Sequence, residues 1–153
     1  MDVIIESENI LFVKVCSELV DDYLVMVNDK DTQKFLSALQ KVYTKEEELD
    51  WVKRKLTEGK DIVYSLIDKE SNKFVGNISL MDLVMEDCAE LGIVITKEFQ
   101  NRHYGMEAME RFIKYAKEDL KLKKITLVVY SNNSRAIHCY EKLGFKVDRV
   151  VNR

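Results

Sequence analysis

The stretch "AELGIVITKEFQNRHYGMEAMERFIKYAKEDLKLKKITLVVY", residues 89–130, holds a strand, a loop, a helix and a second strand in that order. The segment "AELGIVIT" (89–96) is rich in branched apolar residues and predicts a strand. From Gly105 to Leu120 the apolar residues recur at helical spacing, so we predict a helix there. The apolar run "ITLVVY" (125–130) predicts the next strand.

The residues outside this stretch define the rest of the fold. We predict a buried strand at 10–15, a helix from a Ser17 cap to about Asn28, a helix after a Thr44–Glu47 capping box that stops at Gly59, two strands at 61–68 and 74–84 joined by the hairpin "KESNK", a helix over 134–144 and a last strand at 145–151. Consecutive antiparallel strands followed by a strand, helix, strand unit predict an α/β sandwich with a mixed sheet.

Length and composition limit the class of protein. A chain of 153 residues is long enough for one well-filled core, so we expect a single domain over 1–153. The formal net charge of -3 gives no field that would collect nucleic acid. Three widely spaced cysteines predict neither a disulfide framework nor a zinc site. The acidic N-terminus resembles no signal peptide or membrane span, so we expect a cytoplasmic protein without a membrane partner.

The glycine at the start of the central helix marks a candidate anion site. A strand that ends near Thr96 leads through a loop into this helix, whose first N–H groups lack intrahelical partners. Gly105 would let the backbone approach a phosphate because it has no Cβ. The structural alternative, that Gly105 only relaxes the entry into the helix, remains open.

A second motif lies in "YSNNSRAIHCYEKLGF" (130–145). On a helix that begins near Asn133, the side chains of Asn133, Ala136, Ile137 and Tyr140 share one face. A buried tyrosine hydroxyl needs a partner, which indicates a functional phenol. The structural alternative is a core aromatic whose hydroxyl reaches the rim.

The segments "FQNRHYGMEAMERFIKYA" and "KITLVVYSNNSRAIHCYEKLGFK" resemble the acetyl-CoA-binding half of the GNAT N-acetyltransferase superfamily. The resemblance extends from "AELGIVI" to "KLGFK" and is nearest to the branch of ribosomal-protein N-terminal and polyamine acetyltransferases. It implies a mixed, mostly antiparallel sheet with helices on both faces, acetyl-CoA as cosubstrate and no metal.

The resemblance also implies roles for particular residues. The family's pyrophosphate turn, Q/R-x-x-G-x-G/A, falls on residues 100–105, where His103 replaces the first glycine and Gly105 matches the second. The family's asparagine, which binds the pantetheine arm, falls on Asn133, and the tyrosine that protonates the thiolate falls on Tyr140. The implied coenzyme contacts are Ile93, Val94, Ile95, Gln100, Arg102, His103, Tyr104, Gly105, Met106, Asn133 and Ala136.

Transfer from a thioester to an amine also requires a base. Glu90, at the start of "ELGIVI", is our candidate, acting through water. The alternative is a structural carboxylate that accepts hydrogen bonds at the end of a strand. Acidic residues at Asp82, Glu86 and Asp87 either attract a cationic amine or form a solvated edge. Trp51 either lines the acceptor groove or anchors the core.

We therefore expect an enzyme that transfers an acetyl group from acetyl-CoA directly to a primary amine. The acceptor is a protein N-terminus, a polyamine or a small amine. The alternative is a non-catalytic module that binds or senses CoA. Because the chain stops at "VDRVVNR", where relatives usually continue into a further strand, we expect either a homodimer that covers the sheet edge or a short final strand.

Overall fold

Six strands form one sheet in the computed structural model, which describes residues 1–36 and 41–147. The strands are β1 (Val3–Glu6), β2 (Ile10–Lys14), β3 (Ile62–Asp68), β4 (Phe74–Val84), β5 (Cys88–Ile95) and β6 (Lys124–Thr126). They lie side by side in sequence order. Each pair from β1 to β5 is antiparallel, whereas β5 and β6 are parallel. The predicted mixed, mostly antiparallel sheet is confirmed.

Five α-helices accompany the sheet in the described residues. They are α1 (Val20–Asn28), α2 (Lys30–Leu36), α3 (Lys45–Thr57), α4 (Tyr104–Glu118) and α5 (Ser134–Lys142). Short 3-10 turns at Ser17–Leu19 and Lys97–Phe99 precede α1 and the loop before α4. No helix in 1–36 or 41–147 combines the length and apolar character needed to cross a membrane.

Apolar side chains cover both faces of the sheet, because successive residues of a strand point to opposite sides. On one face Phe12, Ile78 and Leu91 pack with Phe112 and other residues of α4. On the other face the core consists of Val13, Val15, Leu19, Tyr23, Met26, Val52, Ile67 and Phe74, from β2, the turn before α1, α1, α3 and the β3–β4 hairpin. Helices therefore lie on both faces, as predicted.

Local capping matches the sequence at one helix and differs at another. At α3 the Thr44 side chain accepts from the Glu47 N–H, and the Glu47 carboxylate accepts from the Thr44 N–H, which confirms the capping box. The predicted Ser17 cap is wrong. Ser17 lies inside the first 3-10 turn, whose N-cap residue is Cys16, and α1 itself starts only after Leu19.

Three further differences separate prediction from structure. The strand β1 and the helix α2 were not predicted. The predicted strand at 125–130 is shorter, because strand pairing ends at Thr126. Residues 145–147 form no strand, and the remainder of the predicted last strand, 148–151, lies outside the described residues.

Candidate active site

The sheet opens between β5 and β6. Their parallel pairing consists of Cys88 with Lys124, Ala89 with Ile125 and Glu90 with Thr126. β5 then continues to Ile95 beside β4, whereas the chain leaves the sheet after Thr126. Within the described residues, β6 therefore provides no partner for β5 beyond Glu90. Peptide groups on this edge are available to an extended ligand that pairs as a strand would.

The predicted coenzyme residues of β5 line this opening. Ile93, Val94 and Ile95 are half-buried, and they are paired with β4 on their other edge. The amide of Gln100 donates to the carbonyl of Ile95 at 2.8 Å. Gln100 therefore holds the loop before α4 against the end of β5.

The loop before α4 contains two residues in the left-handed region. Asn101 has a φ of 63°, and His103 has a φ of 66° and a ψ of 5°. Glycine adopts this conformation without strain, whereas other residues adopt it less often, asparagine and histidine more readily than most. His103 is exposed and makes no capping hydrogen bond with its side chain. It thus keeps the backbone geometry of a glycine at the position where the family's turn has one.

The N-terminus of α4 is uncapped. Its first bond to a residue before the helix runs from the Glu107 N–H to the His103 carbonyl at 3.1 Å. Among the described residues, no group accepts from the N–H of Tyr104, Gly105 or Met106. Together with the positive end of the helix dipole, such free donors form a site for an anion.

The space in front of Gly105 is open. A Cβ built at this residue would meet only the side chain of Ile95, with Cγ1 at 3.7 Å, which is an ordinary contact. Gly105 also has no positive φ. Neither packing nor backbone conformation within the described residues therefore requires glycine here. This finding favours the interpretation in which the missing side chain leaves room for a ligand.

Aromatic rings hold Arg102 beside the loop. The guanidinium carbon lies 4.9 Å from the centroid of the Phe99 ring and 5.5 Å from that of Tyr104. The Tyr104 hydroxyl donates to Asp68 at 2.8 Å, which ties the loop to the end of β3. Sequence reasoning missed this support, although two aromatic residues flanking an arginine were a signal for it. Next to the loop lies a cavity of about 210 Å³ lined by Asn9, Arg102, His103, Tyr104 and Glu107.

The electrostatics of this support follow from its contacts. Hydrogen bonds from Ser71 and then from Tyr104, with the nearby charge of Arg102, hold the pKa of Asp68 below its usual value. Burial and the bond to Asp68 raise the pKa of Tyr104. The carboxylate therefore stays charged at neutral pH and keeps the hydroxyl of Tyr104 as a donor.

Helix α5 places the second set of predicted residues. The side chain of Asn133 caps the helix by accepting from the Ala136 N–H at 3.3 Å. Since the amide oxygen makes this bond, the amide nitrogen of Asn133 is left without a partner in the described part of the chain. Asn133, Ala136, Ile137 and Tyr140 are all half-buried, and their spacing along α5 and its N-cap places them on one side of the helix.

The hydroxyl of Tyr140 has no hydrogen-bond partner among residues 1–36 and 41–147. The ring packs with the core beneath α4, and the Phe145 ring lies against it with centroids 6.3 Å apart. Burial, and to a lesser extent the neighbouring Cys139, raises the pKa of Tyr140 above its ordinary value of 10.0. The phenol is thus protonated at neutral pH and has no acceptor from this part of the chain.

Glu90 lies at the point where the sheet opens. It is the last β5 residue that pairs with β6, and it is half-buried. Its neighbours Ala89 and Leu91 pack with α4, so Glu90 points to the opposite face. Asp82, Glu86 and Asp87 are exposed around the β4–β5 turn, at the far end of β5 from the α4 loop. Among the described residues no group of three or more His, Cys, Asp or Glu side chains is placed to hold a metal.

Comparison with known proteins identifies the family. A family model described as "Acetyltransferase (GNAT) domain" matches residues 9–146, and the chain belongs to this family. Spermidine N(1)-acetyltransferase of Escherichia coli K12 is 38% identical over 60 residues, which cover 39% of this chain and 32% of that protein. The matched segment thus spans about a third of the length of this relative.

Solved structures share the fold. A GNAT-family acetyltransferase from Bacillus anthracis has a TM-score of 0.83 at 22% identity, over 97% of this chain and 86% of that one. Spermidine N-acetyltransferase from Vibrio cholerae, solved with CoA and spermine, has a TM-score of 0.80 at 18% identity, over 90% of this chain and 81% of that one. At these identities the likeness establishes the architecture alone.

Proposed function

We propose that this protein transfers an acetyl group from acetyl-CoA directly to a primary amine. The observation that carries the proposal is the position of the uncapped N-terminus of α4, which lies against the end of the β5 edge left open by β6. A long ligand with a pyrophosphate and an amide-containing arm matches these two features. Membership of the GNAT family and the CoA-bound V. cholerae neighbour support this choice of ligand.

The residues around the opening provide the contacts for such a ligand. The free N–H groups of Tyr104, Gly105 and Met106 bind the anionic pyrophosphate. The peptide groups of Ile93 and the N–H of Ile95 pair with the amides of the arm, and Val94, whose peptide groups face β4, lies between them. The free amide nitrogen of Asn133 donates to an arm carbonyl. The remaining contacts in this proposal are Gln100 and Arg102, which hold the loop, His103, which shapes it, and Ala136, whose small side chain leaves room beside α5.

Two side chains move protons in this proposal. Bound acetyl-CoA supplies the acetyl thioester that the amine attacks. Glu90, at the point where β5 and β6 separate, takes a proton from the amine, directly or through water. The Tyr140 hydroxyl, which is protonated and has no partner in the described residues, donates its proton to the departing sulfur. No covalent enzyme intermediate is required.

The domain organisation, cellular compartment, partners and oligomeric state of the protein are also proposals. We infer that residues 1–153 act as one domain in the cytoplasm, where acetyl-CoA and amine acceptors are available, without a metal, nucleic acid or membrane partner. We further propose a homodimer. Light scattering over a range of concentrations tests the dimer, and a strictly monomeric particle contradicts it.

Separate measurements of binding and turnover test the function. We expect acetyl-CoA to bind in calorimetry and free thiol to be released when an amine from a panel of polyamines, amino-acid amides and peptides is added. Binding without thiol release for any amine would favour the alternative, a CoA sensor. Absence of both binding and release would exclude a role that depends on CoA.

A further inference from the structure

The sheet face opposite α4 has a polar strip beside the opening. On this face β4 and β5 carry Asn77, Ser79, Met81, Glu90, Gly92 and Val94. Asn77 and Ser79 are half-buried, in contrast to their neighbours Gly76, Ile78 and Leu80 on the α4 side, which are buried. The opposite face is covered by α4, whereas on this face the core formed with α1 and α3 leaves all six residues half-buried. An acceptor therefore reaches the point where β5 and β6 separate from the side of this strip.

A chain of hydrogen bonds enters the strip from α1. The backbone N–H of Cys16 lies 3.3 Å from the Tyr23 hydroxyl. That hydroxyl lies 2.6 Å from the Ser65 hydroxyl. The Ser65 hydroxyl in turn lies 2.7 Å from the side-chain oxygen of Asn77. Tyr23 and Ser65 are fully buried, so each of their protons needs an acceptor within the protein.

The first member of the chain sets its direction. A backbone N–H only donates, so Tyr23 accepts from Cys16. If Ser65 also donated to Tyr23, the Tyr23 proton would be left buried without an acceptor in the described residues, at a cost. Tyr23 therefore donates to Ser65, and Ser65 donates to Asn77. Burial raises the pKa of Tyr23 to about 12, so the hydroxyl proton stays in place at physiological pH.

This direction fixes the orientation of the Asn77 amide. Its oxygen accepts from Ser65, so its nitrogen, with two N–H donors, is turned away from the chain of bonds. Among the described residues the nitrogen has no partner. The side chain is half-buried, so a ligand can reach it. Asn77 stands directly across from Val94 of β5, about 4.8 Å away at ordinary strand spacing, and Val94 borders the opening.

We propose that the Asn77 amide is an acceptor-recognition group that binds the carbonyl oxygen next to the amine to be acetylated. The acceptor class is then an α-amino acyl group, as at a peptide N-terminus, rather than a simple polyamine. This inference rests on the proposed acetyl transfer and specifies its substrate.

The charges on the strip agree with this class. Of its six residues, only Glu90 carries a carboxylate, and Glu90 is assigned to the attacking amine. The outward end of the Asn77 amide dipole is positive and disfavours a second ammonium group. A carbonyl oxygen instead gains a donor whose orientation is already fixed. A site of this kind strongly rejects ligands that leave its polar group unpaired.

A cycle of enzyme and acceptor variants tests the proposal. The acceptors are alaninamide, which has a carbonyl next to its amine, and spermidine, which has none. Each is measured with the parent, Asn77→Ala and Asn77→Asp. We expect kcat/KM for alaninamide to fall about tenfold or more in both variants. For spermidine we expect less than a threefold change with Asn77→Ala and an increase with Asn77→Asp. Comparing changes within each acceptor cancels the difference in basicity between the two amines.

Controls separate recognition from folding. Asn72→Asp makes the same chemical change on the exposed β3–β4 hairpin and should leave both acceptors unaffected. Asn77→Asp keeps an oxygen for Ser65, so it remains informative if Asn77→Ala unfolds, and thermal unfolding of each variant is measured alongside.

The outcomes distinguish this inference from the proposed function. Equal losses for both acceptors, no loss for either, or a parent that acetylates spermidine alone would overturn the role of Asn77 and leave acetyl transfer intact. A parent that binds acetyl-CoA and acetylates neither acceptor, nor any other amine, would overturn the proposed function and this inference with it.

Discussion

Phe145 fixes the position of Tyr140 by both its backbone and its side chain. The Phe145 N–H donates to the Tyr140 carbonyl at 3.1 Å, and the Gly144 N–H donates to the Glu141 carbonyl at 3.0 Å. This pair of bonds is a Schellman motif, and the ring contact between Phe145 and Tyr140 is the apolar contact that accompanies it. The phenol therefore projects from a helix end that is closed in a defined geometry.

The phenol itself is tested by Tyr140→Phe. If its proton goes to the departing sulfur, turnover should fall by about 10²- to 10⁴-fold, while coenzyme affinity changes little. Because the pKa of Tyr140 is raised above 10.0, deprotonation of this group should lower parent activity only as pH rises above 10. Steady-state rates at saturating acetyl-CoA provide the measurement. A variant within a few-fold of the parent, with chemistry rate-limiting, would show that another donor serves.

The Schellman motif is tested by Gly144→Ala. Gly144 has a φ of 97°, where any Cβ is strained, so we expect a loss of about 1–2 kcal/mol in the free energy of unfolding. Turnover should also fall because Tyr140 is displaced. Gly59→Ala is the matched control: it lies in open space without a positive φ and should be neutral or slightly stabilising. Equal effects in the two variants would exclude a special role for Gly144.

Most of the fold was predictable because the spacing of apolar residues in its long segments distinguishes helices from strands. The β3–β4 hairpin and the α3 capping box depend on neighbours in sequence, and both match. The strand β1, with only four residues, is too short for its alternation to be distinctive. Asp29 separates α1 from α2 by accepting from the Thr32 N–H at 2.9 Å, and this local cap was overlooked.

The opening of the sheet was not predictable from residue patterns. The run "ITLVVY" is strongly apolar, yet strand pairing stops at Thr126. Pairing depends on where the neighbouring strand lies, and residue patterns do not show this. The resemblance placed His103 at a glycine position, and only the backbone showed that it adopts the left-handed conformation. The direction of the Tyr23–Ser65–Asn77 chain likewise depends on contacts between residues far apart in sequence.

Gly105→Ala tests whether glycine at this position is needed to leave room for the coenzyme or to allow the protein to fold. A Cβ there makes only an ordinary contact with Ile95, so stability should be unchanged or rise by up to about 1 kcal/mol. Acetyl-CoA affinity should nevertheless fall, and with Gly105→Val it should fall tenfold or more, which corresponds to about 1.4 kcal/mol. Calorimetry and thermal unfolding of both variants check this. Unchanged affinity in both would remove the pyrophosphate role of this turn.

His103→Gly tests whether the backbone or the imidazole matters in the loop. Glycine adopts the observed φ of 66° without strain, which offsets the greater entropy it loses on folding. We expect stability to change by less than about 1 kcal/mol and acetyl-CoA affinity to be retained or improved. A tenfold loss of affinity in calorimetry would instead identify the imidazole as a coenzyme contact.

Glu48→Gln tests a buried carboxyl group on α3. Glu48 is only 6% exposed, and its carboxylate has no hydrogen bond or ion pair within the described residues. Burial, with a smaller contribution from Glu47, raises its pKa. A carboxyl group whose pKa is higher in the folded state destabilises the fold once pH exceeds the unfolded pKa, and the loss grows until pH passes the folded pKa.

Glu48→Gln should therefore raise Tm at neutral pH, and the gain should shrink as pH falls through the raised folded-state pKa and be mostly lost by the ordinary glutamate value of 4.5. Glu46→Gln, a change at an exposed neighbour on the same helix turn, is the control and should leave Tm nearly unchanged. Thermal unfolding from pH 4 to pH 8 provides the comparison. A lower Tm for Glu48→Gln at neutral pH would show that the charged carboxylate is stabilised in the fold, contrary to the direction assigned to its pKa.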